Sequence, residues 1–266
     1  MKHKIGIITV CVNCLEYTKQ TLNSINTSHD YQIIVVNNGS SDGTEGFLNS
    51  REDIISYQNP KVSGLSACWN LAIDRAIKEG CDLMLVVNND IVLAKNTIDN
   101  MVKRFEKGTY VMVTGSNDQS ISPEEMINFE KPYEEDQDNF HPDFSCFLIE
   151  NKFIEKIGFF DENFMVAYFE DSDAHARIAL AGEIAISTVA GTYWHYASKT
   201  IQENPKMAQL IHDAFRHNRE YFENKWGHSN VGDVPEMLKV YWKHPFNDPN
   251  RDIKNIEPFF VVGESW

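Results

Sequence analysis

Residues 83–93 read LMLVVNNDIVL, and this stretch decides the fold. Its five apolar residues, 83–87, are too few for a helix and show no alternation with polar residues. The pattern predicts a strand that is buried on both faces, as in a parallel sheet covered by helices. The strand runs into Asn88, Asn89 and Asp90. Two amides and one carboxylate therefore follow its carboxyl end, which is where ligands bind in open α/β sheets.

Two interpretations of this triplet are open at this point. A lone carboxylate at the end of a strand can hold a hard divalent cation that also binds phosphate oxygens. Alternatively, the triplet is the N-cap of a helix, because Asn and Asp both cap helices well. The rest of the chain has to decide between them.

Strands and helices alternate on both sides of this stretch. Apolar runs predict strands at residues 5–12, 32–36, 54–57, 110–114, 145–149 and 184–189. Apolar residues at helical spacing predict amphipathic helices within residues 15–25, 69–77, 98–105 and 207–222. Residues 116–143 are polar and acidic, and we expect a long surface loop or lid there. This order predicts an α/β fold with a mainly parallel central sheet.

The composition narrows the class of protein. The formal charge is −15, and residues 118–173 alone hold sixteen acidic and three basic residues. Such a face does not attract a polyanion, whereas it suits a metal or a polyhydroxyl ligand.

The five cysteines are an odd number, which argues against a disulfide framework and for a reducing, cytoplasmic location. Cys11 and Cys14 form a C-x-x-C motif, but the second cysteine pair that a zinc site needs is missing from the sequence. No apolar run approaches the length of a membrane span.

Four segments resemble, in order, the inverting glycosyltransferases of family 2, which have a GT-A fold. They are IITVCVN, IIVVNNGSSDGT, GLSACWNLAIDRAIKEGCDLMLVVNNDIVL and GFFDENFMVAYFEDSDAHARIALAG, and the resemblance spans roughly residues 5–198. It implies a GT-A domain over residues 1–200, with a Rossmann-like sheet. Residues 1–115 would form the half that binds nucleotide-sugar and metal, and residues 116–200 the half that carries the acceptor site and catalytic base. Residues 201–266 would be a C-terminal helical extension packed on this domain.

The resemblance implies a metal site at the triplet. Asp90 matches the last position of the Asp-x-Asp motif, which in the family helps to bind Mn²⁺ or Mg²⁺ across the diphosphate of a nucleotide-sugar. His195 matches a late histidine that completes the metal site in many relatives. The alternative for His195 is a structural histidine packed between Trp194 and Tyr196.

The resemblance also implies the catalytic carboxylates. Asp171 matches the general base, which takes the proton of an acceptor hydroxyl during attack on the anomeric carbon. Glu170 is expected to orient the site or to bind the acceptor. The alternative is that this pair is simply the first turn of a helix, where the helix dipole favours carboxylates.

Contacts to the nucleotide-sugar carry over to seven residues: Cys11, Asn13, Asn37, Gly64, Asn70, Asn88 and Asn89. The chain departs from the family pattern at two of them. Asn37 stands where many relatives have an aspartate that accepts the N–H of the base, and an amide can donate as well as accept. Asn88 replaces the first carboxylate of Asp-x-Asp, which leaves fewer negative charges on the metal.

The resulting expectation is a cytoplasmic, metal-dependent, inverting glycosyltransferase. The donor would be a nucleoside-diphosphate sugar of the UDP type, and the acceptor hydroxyl would belong to a glycan, with nucleic acid disfavoured by the acidic second half. A sugar nucleotidyltransferase and a non-catalytic carbohydrate-binding protein on the same fold are the alternatives. The apolar stripe of residues 207–222 would pack on the catalytic domain or on a second chain in a homodimer.

Overall fold

The computed structural model describes residues 2–133, 138–139, 144–197, 199, 202 and 205–226. The strands are β1 (Lys4–Cys11), β2 (Asp30–Asn38), β3 (Ile54–Asn59), β4 (Leu83–Asn88), β5 (Ile91–Leu93), β6 (Met112–Asn117), β7 (Asp138–Asn139), β8 (Cys146–Glu150) and β9 (Ala185–His195). The helices are α1 (Leu15–Asn23), α2 (Thr44–Asn49), α3 (Leu65–Lys78), α4 (Thr97–Glu106), α5 (Pro123–Met126), α6 (Asn151–Lys156), α7 (Glu170–Leu180) and α8 (Pro205–Trp226).

Within these residues the strands form a single sheet in the order β3-β2-β1-β4-β8-β6-β9-β5, with β7 also paired to β9. The first four strands are parallel, as predicted. The other half is mixed, because β8 is antiparallel to both β4 and β6, and β5 and β7 are antiparallel to β9. The α/β class is confirmed, while the sheet is less uniformly parallel than the sequence indicates.

Strand β4 is buried on both faces. Met84 and Val86 pack with α3 on one face, where Trp69 and Ile73 belong to the same cluster. Leu83, Leu85 and Val87 pack on the other face with apolar residues of α4. This double burial explains why the run lacks polar alternation.

Helix α3 lies very close to strand β1. A Cβ atom at Gly6 of β1 would lie 2.5 Å from the Cβ of Ala76, which is below any ordinary contact distance. The pairing of a glycine with an alanine therefore sets how closely this helix approaches the strands that carry the site.

The structure differs from the sequence prediction in residues 116–143. Strand β6 continues to Asn117, and the short helix α5 follows, with a capping box between Ser122 and Glu125. Met126 at its end is fully buried in a cluster with Val92 and Ala94, so this part is not a solvated loop. Residues 134–137 and 140–143 of the predicted loop lie outside the described residues.

Helix α8 packs along one side of α7. Four of its buried residues, Ala214, Asn218, Phe222 and Trp226, recur every four positions. Phe222 and Trp226 share a cluster with Phe164 and Ala176. Residues 227–266 of the predicted C-terminal extension lie outside the described residues. Among the helices described, none is long and apolar enough to cross a membrane.

Candidate active site

The carboxyl ends of three neighbouring strands form one edge of the site. Strand register places Cys11 of β1 opposite Asn37 of β2, and Val10 of β1 opposite Asn88 of β4. The residues predicted to contact the nucleotide after β1, β2 and β4 therefore lie side by side, as expected for parallel strands that end together.

The loops after β1 and β2 are joined at Asn13. Its backbone N–H donates to Ser40 Oγ at 2.7 Å, and its side-chain Oδ1 accepts from the N–H of Ser41 at 2.7 Å. Asn13 has a φ of 55°, a left-handed conformation that asparagine tolerates better than most residues. Asn13 therefore shapes the loop pair that borders the site.

The Cys11 side chain points away from this edge. The residue is fully buried in a cluster with Leu22 and Val35, and burial raises the pKa of its thiol to about 12. A thiol buried in apolar surroundings has low reactivity. Contact with a ligand at this position can therefore come only from the backbone.

The amide of Asn37 has a fixed orientation. Its Oδ1 accepts from the backbone N–H of Ser40 at 3.2 Å, and its Nδ2 donates to Gln58 Oε1 at 2.7 Å. Because a backbone N–H can only donate, the contact with Ser40 settles which end of the amide is the oxygen. One hydrogen of its Nδ2 is engaged by Gln58, and its oxygen retains the capacity to accept a second hydrogen bond.

The start of α3 connects the nucleotide edge to the loop before α7. Asn38, which ends β2, donates to Ser63 O at 2.9 Å and accepts from Ser63 N at 2.9 Å. Two residues later, the N–H of Leu65 donates to Val166 O at 2.8 Å. Gly64 lies between these contacts, and a Cβ there would lie 3.0 Å from Phe164 O. A small residue at position 64 thus allows the two segments to meet.

Asn70 of α3 is held inside the protein. Its Nδ2 donates to Phe160 O at 2.8 Å and to Glu162 Oε1 at 2.7 Å, and its Oδ1 accepts from Phe160 N at 2.9 Å. These bonds fix the segment that leads to α7. The structure therefore gives Asn70 a structural contact, and its predicted contact with the nucleotide-sugar stays a prediction.

The triplet forms the turn between β4 and β5. Because a strand follows Asp90, the alternative of a helix N-cap is wrong. Asn89 is buried and donates to Thr18 Oγ1 at 3.0 Å, which fastens the turn to α1. Asn88 marks the end of β4, and its N–H donates to Ser145 O at 2.8 Å.

Asp90 and His195 meet in space. The antiparallel pairing of β5 with β9 places Ile91 opposite His195. As a result, Asp90 Oδ1 lies 3.1 Å from His195 Nε2, while Nδ1 of the same ring lies 3.5 Å from Ser145 Oγ. The side chains of Asp90 and His195 are largely shielded from solvent, with exposed fractions of 9% for Asp90 and 17% for His195.

This pair fits a divalent cation that also binds phosphate. No third His, Cys, Asp or Glu joins such a group in the part of the chain that the structure describes. Magnesium and similar ions are commonly held by one or two protein groups together with substrate phosphates and water. The donor set of one carboxylate and one imidazole has this character.

The two predicted catalytic carboxylates begin helix α7. Glu170 is buried, and its Oε2 accepts no hydrogen bond from the described residues. Burial and the neighbouring Asp171 raise the pKa of Glu170 to about 8. Asp171 is only half-buried, and its Oδ1 accepts from the N–H of Ser172 at 2.6 Å. At neutral pH Glu170 thus keeps its proton, and Asp171 is the more accessible carboxyl group.

Helix α7 is anchored by buried ion pairs that begin at Asp173, the last residue of its first turn. Asp173 and Arg177 form the ion pair that their spacing predicts, at 2.8 Å and fully buried. From α8, Lys225 pairs with Asp173 at 2.6 Å and Trp226 Nε1 donates to Asp173 Oδ1 at 2.9 Å. Lys225 also pairs with Asp161 at 2.6 Å. Although burial opposes ionisation, Lys225 holds the pKa of Asp161 below its usual value.

Known proteins resemble this chain both in sequence and in fold. The sequence model of Glycosyl transferase family 2 matches residues 6–170, which is more than half of the chain. No curated protein matches the sequence. Among solved structures, the crystal structure of S. aureus TarS 1-349 is similar, with a TM-score of 0.56 and 12% identity, over 90% of this chain and 71% of that chain.

The structural likeness supports the predicted GT-A fold. The family match covers the three strand ends, the triplet and the loop up to Glu170. Members of this family use a nucleotide-sugar donor and an acceptor. The chain belongs to glycosyl transferase family 2, and it is a glycosyltransferase.

Proposed function

We propose that the protein is a metal-dependent, inverting glycosyltransferase that uses Asp171 as its general base. The observation that carries this proposal is the 3.1 Å contact between Asp90 and His195, next to the in-register ends of β1, β2 and β4. A nucleoside diphosphate lying along those strand ends would bring its phosphates to this pair.

Asp90 and His195 would hold the Mn²⁺ or Mg²⁺ ion. When bound, the ion would supply a Lewis acid that offsets the negative charge on the departing nucleoside diphosphate. Asn88 adds no charge at this position, so the triplet offers the ion only one carboxylate. Metal binding is therefore expected to be much tighter in the presence of the nucleotide-sugar than in its absence.

Asp171 would accept the proton of the acceptor hydroxyl. The oxygen of that hydroxyl forms a bond to the anomeric carbon while the bond from that carbon to the diphosphate oxygen breaks. Attack from the face opposite the leaving group inverts the anomeric configuration. Burial raises the pKa of Glu170, whereas Asp171 is the more exposed of the two carboxyl groups and is therefore the one assigned as the base.

The fixed amide of Asn37 supports a uracil-type base. Its Nδ2 gives one of its two hydrogens to Gln58, and its Oδ1 keeps a lone pair that can accept from a ligand. This residue would then accept the N–H of the base as an aspartate does, without the negative charge. A UDP-sugar is therefore the expected donor.

A glycan acceptor is consistent with the surface next to the base. Tyr168 is 41% exposed. The pKa of Tyr168 is raised mainly by partial burial, and further by the nearby charges of Glu170 and Asp171. An exposed aromatic ring with a polar tip suits the mixed apolar and hydroxyl surface of a sugar ring. The acidic character of residues 118–173 disfavours a nucleic acid in this position.

The proposal is tested by a thermal-shift screen of nucleotide-sugars, with and without Mn²⁺, followed by product analysis. A ligand that binds only the folded protein raises the melting temperature by mass action. We expect a UDP-sugar to give the largest Mn²⁺-dependent shift, and the product to carry the opposite anomeric configuration by NMR. A product with retained configuration, or a shift that is independent of metal, would contradict the proposal.

A further inference from the structure

The segment between Phe164 and α7 has a strained backbone. Val166, Tyr168 and Phe169 have φ values of 55°, 79° and 73°. None of them is glycine, and such values are genuine outliers for β-branched or bulky residues. A backbone of this kind persists only where the surroundings fix it.

One side chain from α8 fixes most of this segment. Asn218 is fully buried, and its Oδ1 accepts from the N–H of Met165 at 2.7 Å. Its Nδ2 lies 2.8 Å from Met165 O, 3.0 Å from Ala167 O and 3.0 Å from Tyr168 O, and it shares its two hydrogens among these three carbonyls. A single amide thus contacts four backbone groups of three residues, Met165, Ala167 and Tyr168.

This segment leads directly to the catalytic turn. Phe169 is the N-cap of α7, and Glu170 and Asp171 are the first two residues of the helix. Any change in the backbone at 165–168 therefore changes the position of both carboxyl groups. The opposite side of the segment is held by the bond from Leu65 N to Val166 O, which continues to the nucleotide edge.

Helix α7 has further anchors from Asp173 onwards. Asp173 and Arg177 are held by their own ion pair and by Lys225 and Trp226, two turns further along α8. Loss of the Asn218 amide is therefore expected to loosen the strained segment and the first two residues of α7, while the helix from Asp173 onwards stays docked.

We propose that Asn218 is a positioning residue for glycosyl transfer, acting through the 165–168 backbone on Asp171. The proposal rests on the proposed role of Asp171 as the base. Asn218 lies beyond residue 170, where the family match ends. A displacement of about 1 Å in a reacting group can cost about 10²-fold in rate.

The test uses Asn218→Asp in the full chain. This variant keeps an oxygen for Met165 N and replaces the amide donor with an oxygen that faces three carbonyls. Trp226→Phe is the matched control, because it removes one hydrogen bond between the same helix and Asp173. The readout is release of nucleoside diphosphate from the nucleotide-sugar selected by the thermal-shift screen, measured well below both melting temperatures.

We expect Asn218→Asp to lower kcat by about 10- to 100-fold with donor KM changed by less than about twofold. Trp226→Phe should lower the melting temperature and leave kcat within about twofold. Hydrogen exchange should rise at amides 165–171 in Asn218→Asp and not in the control. Equal losses of kcat in the two variants, or wild-type kcat in Asn218→Asp, would make Asn218 a purely structural residue.

Two further variants keep the proposal testable and separate it from the proposed function. Asn218→Ser retains a hydroxyl donor and is smaller, so it serves if Asn218→Asp does not fold, with the same expected loss of kcat. In an Asp171→Asn background, Asn218→Asp should cause little further loss, because both changes act on one group. If Asp171→Asn alone transfers at the wild-type rate, the base assignment fails. A full additional loss in the double variant instead refutes the action of Asn218 through Asp171.

Discussion

The carboxylate of Asp90 and the imidazole of His195 lie 3.1 Å apart, although 105 residues separate them in the chain. The contact is produced by a strand of only three residues, β5, which pairs with the end of β9. Tyr196 reinforces it, because its N–H donates to Asp90 O at 3.0 Å. Both sides of the candidate metal site are therefore positioned by backbone hydrogen bonds and not by the side chains alone.

Asp90→Asn is expected to abolish the Mn²⁺-dependent part of the thermal shift with a nucleotide-sugar. The amide keeps the shape of the side chain and removes the only carboxylate of the triplet. His195→Ala should weaken the same shift without abolishing it, because a carboxylate and the substrate phosphates remain as ligands. Asp74→Asn, on the partly exposed face of α3, is the control and should leave the shift unchanged. An unaltered shift in Asp90→Asn would place the metal elsewhere.

Asp171→Asn is expected to lower transfer by about 10² to 10⁴, the scale of a positioned acid–base group. Donor and metal binding should persist, because Asp90, His195 and the strand-end loops are untouched, so the loss should appear in kcat. Glu155→Gln on the exposed surface of α6 is the matched neutralisation and should have no effect. Loss of donor binding in Asp171→Asn would assign this residue to the metal site or to the cap of α7. Glu170 or Asp173 would then be the better candidate for the base.

Glu170→Gln is expected to make stability less dependent on pH. The folded protein holds a proton on Glu170 up to a pKa of about 8, whereas the ordinary value is 4.5. Between these values the unfolded chain binds fewer protons at this position, so the folded state loses stability as pH rises. The variant should therefore melt progressively higher than the wild type from about pH 5 to about pH 8, and the two should converge below about pH 4.5. Parallel melting curves over this range would show that the buried carboxyl is already ionised.

Asn37→Asp is expected to preserve UDP-sugar binding and to break the contact with Gln58. The new carboxylate keeps an acceptor for Ser40 N and for the base, but it faces the Gln58 oxygen that now accepts from Asn37. Gln58 can rotate its amide to donate instead, so the change in donor affinity should be less than about tenfold. Asn37→Leu removes the acceptor and should lose most of the affinity for a uracil nucleotide, measured by calorimetry with UDP. Equal binding by Asn37→Leu would exclude this residue from base recognition.

Phe222→Ala is expected to lower the free energy of unfolding by about 3–5 kcal/mol. Its side chain is fully buried between α8 and the Phe164 region. Phe215→Ala on the same helix is the control, because Phe215 is 41% exposed and should cost much less. Urea denaturation of both variants measures the difference. Similar, small losses would mean that α8 is only loosely attached in solution.

Local patterns in the sequence determined most of the elements. The uninterrupted apolar run of β4 follows from its burial between α3 and α4, and the 3.6-residue spacing predicts α3, α4 and α8. The chain order of strands and helices gave the α/β class. The resemblance of four segments gave the family, which the match over residues 6–170 shows.

The sequence shows Asn218 as a polar residue within the apolar stripe of residues 207–222. Its contacts could not be predicted from the sequence, because its four hydrogen bonds to Met165, Ala167 and Tyr168 depend on how two distant segments pack. The same holds for Glu170, whose raised pKa comes from burial by neighbours that no local pattern encodes.

Only the tertiary structure decided which polar residues meet. Strand β5 is too short to be recognised from periodicity, and β8 enters the sheet between β4 and β6 by antiparallel pairing that its own sequence does not specify. Register across such long-range pairs is set by the global packing of both faces of the sheet. Local sequence therefore fixes which side chains stand at the ends of strands, and the long-range pairing determines that Asp90 meets His195.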